Sequence, residues 1–191
     1  MNLQTKKFLT VALLAGAVLA SAPALAQDSG WYAGGGLGQA MHDVDCTGTT
    51  SCDDKDAAWK IFGGYQFNRN LGVEFGYTNL GKASAGDAVS TTTFKTKGFE
   101  VLAVGTFPIN QQFEVYGKAG LFRWNLDAKD TVFGSLSESG TDLTFGLGVK
   151  YNFTKTVGAR LEWQRYNDIG NENTTGTSDS DFIGVGVVVK F

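Results

Sequence analysis

Between residues 143 and 153 the chain alternates without a break. Leu143, Phe145, Leu147, Val149, Tyr151 and Phe153 fall on one parity, with Thr144, Gly146, Gly148, Lys150 and Asn152 on the other. The same period recurs from 156 to 166, where Val157, Ala159, Leu161 and Trp163 oppose Gly158, Arg160, Glu162, Gln164 and Tyr166. At the C-terminus Ile183, Val185, Val187, Val189 and Phe191 oppose Phe182, Gly184, Gly186, Val188 and Lys190. Successive side chains of an extended strand point to opposite faces, so a period of two held over about ten residues predicts strand, not helix. Leu71, Val73, Phe75 and Tyr77 form another such face, and so do Trp59, Ile61, Tyr65 and Phe67. With segments 30–40, 98–107 and 113–124 the expected total is eight strands. Two are imperfect: Leu102 and Val104 share a face with Glu100, and Phe122 and Trp124 sit on an otherwise polar parity.

The connections alternate in length. Asn68-Arg69-Asn70, residues 108–112 and Phe153-Thr154-Lys155 are short and turn-like, whereas 41–57, 80–97, 125–140 and 167–180 are long, polar and rich in Gly, Asp, Ser and Thr. In an up-and-down meander the long connections leave from one end and the short ones from the other. That asymmetry is the pattern of a barrel that crosses an outer membrane. In hydrocarbon a sheet cannot leave an edge unpaired, so it must close on itself. The expected fold is all-β: an eight-stranded antiparallel up-and-down transmembrane β-barrel, with an interior just wide enough for side chains to fill.

Charge decides which face looks inward. Lys60, Lys118, Lys150 and Arg160 lie on the polar parity, as do Glu74, Glu100, Glu114 and Glu162. A Lys or Arg facing lipid at mid-depth costs roughly 2–4 kcal/mol, so reversing the faces would cost more than ~10 kcal/mol. The charged face therefore points into the lumen, where a salt-bridge network is expected instead of an open channel. A soluble eight-stranded barrel is the competing fold, but it would keep the apolar face inside. Trp31, Phe67, Phe107, Phe113, Phe153 and Phe191 gather at the short-turn end, and Trp59, Tyr77 and Trp163 at the other, where interfacial girdles belong.

The first residues are a separate matter. Lys6 and Lys7 precede an apolar run from Phe8 to Ala20, followed by Ala24-Leu25-Ala26. This reads as a cleaved secretory signal over 1–26, with the barrel domain over 27–191. Removing it leaves 14 basic against 19 acidic residues, with no basic run and no sign of nucleic-acid binding. Only two prolines, 26 glycines and 13% aromatic residues fit a chain that is nearly all paired strand.

Candidate chemistry is sparse. Cys46 and Cys52 lie in the first long connection, and an even cysteine count in an exported chain favours a disulfide, worth about 2 kcal/mol for so short a loop. Two cysteines and one distant histidine are too few for a metal site. His42 is the single histidine; Asp43 lies beside it, but no partner on another strand is recognisable, and it reads as a surface residue. Gly34-Gly35-Gly36-Leu37-Gly38 is not a phosphate loop, because no helix follows. Asn152-Phe153-Thr154 and Asn173-Thr174-Thr175 match glycosylation sequons but read as plain turn and loop residues. No catalytic set and no cofactor site emerge.

Several segments together resemble the transmembrane domain of OmpA-like proteins. They are Gly30-Trp31-Tyr32-Ala33-Gly34, Gly64-Tyr65-Gln66-Phe67 through Gly76-Tyr77, Lys118-Ala119-Gly120-Leu121, Arg160 through Tyr166, and Val189-Lys190-Phe191. The resemblance implies a Gram-negative outer membrane and interior charges at positions such as Lys118 and Arg160. It also implies periplasmic chaperones and insertion by the barrel assembly machinery, with the assembly signal in the last strand ending at Phe191. A peptidoglycan-binding domain is not matched. Barrel-only relatives imply adhesion, stress resistance or membrane integrity. The competing readings are a narrow porin-like pore and a lipid A-modifying enzyme using His42. Loop one carries Asp43, Asp45, Asp53, Asp54 and Asp56 against Lys55, and loop four carries Asp168, Glu172 and Asp179 with no base. These acids are expected to face water, to join the cation layer of lipopolysaccharide, or to meet an extracellular ligand. Partners are otherwise outer-membrane lipid.

Overall fold

The computed structural model describes residues 29–43, 51–86, 91–130, 134–171 and 176–191. The strands are β1 (Gly30–His42), β2 (Ser51–Asp53), β3 (Lys55–Gln66), β4 (Leu71–Gly86), β5 (Thr91–Pro108), β6 (Phe113–Asp130), β7 (Gly134–Asn152), β8 (Val157–Asn171) and β9 (Gly176–Lys190). Each pairs antiparallel with its neighbours, and β1 pairs with both β3 and β9 while β4 pairs with β5. The sheet therefore closes on itself, while β2 and residues 134–143 of β7 pair along one side only. The short β2 pairs with β4 directly above β3, so nine strands make eight staves. The signal reading of 1–26 lies outside the described residues, as does Cys46. Cys52 is placed on β2, its backbone opposite Ala85.

The three short turns share one chemistry. Asn68 Oδ1 accepts hydrogen bonds from the backbone of Asn70 and Leu71, each at 2.9 Å. Asn110 Oδ1 does the same for Gln112 and Phe113 at 2.8 Å, and Thr154 Oγ1 for Thr156 and Val157 at 3.2 and 2.9 Å. In each case two amides at the start of the returning strand, which have no ladder partner there, are satisfied by one short polar side chain.

The opposite end departs from the sequence expectation. The segments 80–97, 125–140 and 167–180 are not long loops: the strands run through most of them. Pairing continues to Gly86↔Thr91, Thr92↔Asp130, Asp130↔Gly134 and Asn171↔Gly176. Beyond the lipid both faces of a hairpin meet water, so the apolar–polar alternation disappears while the ladder persists. Polar cross-strand pairs replace it. Thr92 Oγ1 donates to Asp130 Oδ2 at 2.7 Å, and Ser137 Oγ to Asp127 Oδ1 at 2.5 Å.

Two bulges lie in this upper region, between Asn79 and Lys82 on β4 and between Tyr166 and Ile169 on β8. Each inserts one residue and inverts the parity above it. Gly81 at φ +76° serves the first and Asp168 at φ +52° the second. As a result Ala83 and Ile169 turn inward and are buried.

Outside, the wall is apolar. Leu37, Ile61, Phe75, Val101, Leu147 and Val185 are all exposed at mid-height. Aromatic pairs mark both margins: Trp31–Tyr65 at 5.0 Å and Phe113–Tyr151 at 4.8 Å by the turns, Trp59–Tyr77 at 5.7 Å and Tyr77–Phe99 at 5.0 Å toward the hairpins. Inside, glycine opposite a large ring makes filling possible. A Cβ at Gly148 would fall on the Tyr116 ring and within 2.6 Å of the Leu161 carbonyl.

Candidate functional site

The lumen holds two layers. At mid-height Lys60, Lys118 and Arg160 face Glu74, Glu100 and Glu162, and all six are buried. Their parity on β3 to β8 sends them inward, and closure of the sheet brings residues as distant as Lys60 and Glu162 together. Lys60 Nζ lies 2.8 Å from Glu162 Oε1 and 3.1 Å from Glu100 Oε1. Lys118 Nζ lies 2.8 Å from the same Glu162 oxygen and 3.5 Å from Glu74. Arg160 spans both acids, with Nη1 at 2.9 Å from Glu74 Oε2 and Nη2 at 3.2 Å from Glu162 Oε2. Its guanidinium also stacks 3.5 Å from the Phe62 ring centroid.

Neutral side chains take several of the remaining valences, while Glu100 Oε1 and Lys118 Nζ are held by ion pairs without a hydrogen bond. Tyr116 OH donates to Glu162 Oε2 at 2.8 Å, and Tyr32 OH to Glu74 Oε2 at 3.4 Å. Gln164 uses both ends: its Nε2 donates to Glu100 and Thr144 at 2.8 Å, and its Oε1 accepts from Lys60 at 2.6 Å. Three positive and three negative groups thus sit in one shared network, the arrangement in which buried ions are tolerated.

Glu114 and Lys150 stand apart from these six. They pair at 2.5 Å beside the turn end, partly exposed, with Asn152 donating to Glu114 at 2.7 Å and Lys190 3.9 Å away. They line an open vestibule of about 640 Å³ beneath the network, together with Arg69, Lys155 and Lys190.

Above the network lies an apolar layer that alternation alone did not reveal. Ala40, Ala58, Leu80, Phe122, Trp124, Leu126, Tyr166, Ile169 and Phe182 form one buried cluster across the mouth of the barrel. The blurred parity of 113–124 was its signal, since Phe122 and Trp124 point inward. Tyr166 joins the layers: its ring packs 4.6 Å from Phe122, and its hydroxyl lies 3.1 Å from Glu100 Oε2.

His42 corrects the sequence reading. It is not a surface residue without a partner; it is buried at the top of β1 between β4 and β9. Its Nε2 lies 3.1 Å from the Leu80 carbonyl, which can only accept, so that nitrogen carries the proton. Nδ1 is then the acceptor for the Ser180 hydroxyl at 2.8 Å. The acids are also engaged. Asp56 accepts from the backbone of Ala57 and Lys82 at 2.8 Å. Segment 167–180 carries no base of its own, but Arg165, just before it on β8, reaches Asp181 at 2.6 Å and Asp179 at 3.8 Å. Asp45 and Glu172 lie outside the described residues, as do Asn173-Thr174-Thr175 apart from the strand that follows.

A closed eight-stave cylinder with a lipid-facing apolar wall and a filled, charge-balanced interior defines an outer-membrane β-barrel. The chain belongs to the family of the OmpA-like transmembrane domain, whose model matches residues 26–191. It is similar to outer membrane protein A of Escherichia coli O157:H7, 33% identical over 175 residues that cover 89% of this chain and 50% of that protein. Outer membrane protein A of Klebsiella pneumoniae is 34% identical over 189 residues, 91% of this chain and 54% of that protein. The chain therefore spans about half the length of these relatives. Among solved structures, Neisserial surface protein A superposes with a TM-score of 0.67 at 23% identity, covering 86% of this chain and all of the other. Ail of Yersinia pestis, seen with the heparin analogue sucrose octasulfate, gives 0.56 at 19% identity over 85% of this chain and 99% of that one. Both show the fold.

Proposed function

We propose that the chain is a structural and surface-interaction protein of the outer membrane: a sealed cylinder that holds four long connections beyond the lipid. Membrane integrity, adhesion or stress resistance would act through those connections and the rim below them. The filled lumen carries this reading. Six mutually paired charges and an apolar cap occupy the cross-section from mid-height to the mouth, which leaves a porin-like pore no ready path. The His42–Ser180 pair favours a fastener over an enzyme, since the serine is buried and the ring's other nitrogen is held by a backbone carbonyl. Exposed Phe191 ends the last strand at the turn margin, a suitable place for the assembly signal, and its amide donates to the Trp31 carbonyl at 2.9 Å.

Two measurements test this. The refolded chain in planar bilayers should give no steady current. On intact cells, in a background with both native cysteines replaced by serine, a membrane-impermeant thiol reagent should label Ser135→Cys at the start of β7 and spare Thr154→Cys in a short turn. A stable conductance would favour the pore, and labelling at 154 would invert the orientation.

A further inference from the structure

Above residue 144 the wall of the barrel forks. β6 and β7 stay paired through every residue from Tyr151 up to Gly134. β7 and β8 part after Thr144↔Tyr166, and above that point β8 pairs with β9 alone. Residues 134–143 of β7 are therefore a sheet edge, about 30 Å long at the rise of an antiparallel strand. Asn167 Nδ2 closes its foot, donating to the Leu143 carbonyl at 3.1 Å.

The backbone along this edge can be assigned residue by residue. Asn152 donates its amide to Gln112 on the β6 side, and Phe153 donates to Val157 on the β8 side. Successive residues of an antiparallel strand turn their polar groups to opposite sides, and no register shift interrupts β7. Odd positions therefore aim at the fork. Above Leu143 these are Ser135, Ser137, Ser139 and Thr141, all exposed. Among the described residues none of their amides or carbonyls has a ladder partner on that side.

Natural sheets blunt such an edge by keeping it short, by bulging it aside, or by placing lysine or proline on it. The neighbouring edges follow that rule. β2 has three residues. β8 carries the bulge between Tyr166 and Ile169, with Asp168 at φ +52° and its amide held by Asp179 Oδ1 at 3.1 Å. β7 has none of these devices. Its residues 134–143 include no proline, lysine or arginine, and the ladder behind them is regular. Small hydroxyl side chains line the outer face and leave the backbone uncovered. The face toward the mouth carries Leu136, Glu138 and Asp142. Gly140 lies flat there against Trp124, where a Cβ would come within 2.4 Å of the ring.

We propose that this edge takes up an extended segment of another protein as an added β-strand. Main-chain hydrogen bonds to Ser135, Ser137, Ser139 and Thr141 hold it. Two acids and no base on the edge select a neutral or basic segment, with an apolar side chain over Leu136. A second copy in the same membrane fits less well. Its β7 would run in the same direction, and two such edges cannot exchange the reciprocal bonds of an antiparallel pair. The inference deepens the surface-interaction reading by naming a partner's backbone as what is recognised.

A random nonapeptide library displayed on phage is selected against the full chain refolded in nanodiscs, and the selected sequences are measured as free synthetic peptides by fluorescence anisotropy. Their affinity should fall at least about tenfold for Ser139→Pro, which deletes one edge amide and leaves the β6 ladder intact, and should be unchanged for Ser139→Ala. Methylating alternate backbone nitrogens of the peptide should abolish binding in one frame and spare it in the other, a result that needs no protein variant. Both faces of a nanodisc are open to solution, so the outcome is independent of which way the hairpins face the cell and of the thiol-labelling result. A selection that yields no peptide overturns the proposal, as do peptides indifferent to the proline and to N-methylation. Self-association of the parent that Ser139→Pro abolishes would give the edge to a second copy and overturn it too. Heat-modifiable gel mobility shows in every case whether the barrel has folded.

Discussion

Glu162 touches all three buried cations, Lys60, Lys118 and Arg160, and accepts from Tyr116 as well. Without its charge, three positive groups share Glu74 and Glu100 in a nearly dry volume whose lower side borders the vestibule. Removing one partner of a buried ion pair typically costs about 3–5 kcal/mol, because the survivors stay desolvated. Glu162→Gln should therefore lower the urea midpoint of the refolded barrel by an amount in that range while preserving shape and the tyrosine contact. Glu114→Gln, at the wet vestibule, should cost about 1 kcal/mol or less. Equal effects at the two sites would mean that burial does not govern the network. The difference follows from position alone, as both residues are glutamates on the same face of the sheet.

The hairpin turns can be tested at the scale of the element. Asn68, Asn110 and Thr154 each satisfy two backbone amides, so alanine at any one should destabilise by about 1 kcal/mol and raise the unfolding rate. Alanine at the neighbouring Lys155, which makes no such bond, is the control, and stopped-flow fluorescence in urea reads the difference. These turns and the lipid-spanning strands were legible in the sequence because each face of the wall has one solvent, hydrocarbon outside and the packed lumen within. The upper strands were not. Their outer face is wet, their inner face is buried only in part, and each of two bulges inverts parity partway up, so the periodicity that reports a strand stops at about Asn79 and Tyr166 although the ladder continues. Register also hides contacts: His42 meets Ser180 only because β1 and β9 close the sheet, 138 residues apart in sequence. The apolar cap was half visible, as Phe122 and Trp124 on a polar parity are what an interior too narrow for water requires.

For the molecule as a whole, two seals in series lie across one bore, and they fail differently. The ionic layer can rearrange, since Glu74 and Glu162 each pair with more than one cation, and a proton or an ion can substitute for either. The layer above it holds Phe122, Trp124, Leu126, Tyr166 and Phe182 at the mouth and has no such alternatives. Water entering there would replace packed contacts with nothing in return. Loss of the ionic layer alone should then leave the barrel closed. A Glu74→Ala/Arg160→Ala variant removes a matched pair of opposite charge, keeps the lumen neutral and widens the lower bore, yet the cap above is untouched. In planar bilayers it should stay silent, or flicker without a sustained level. Phe122→Ala/Phe182→Ala alone should also stay silent, because the ionic layer remains. Only the fourfold combination joins the vestibule to the mouth, and it should give a steady, voltage-independent current. A steady current from the charge pair alone would place the whole barrier in the salt bridges, leaving the aromatic cap with packing as its one role.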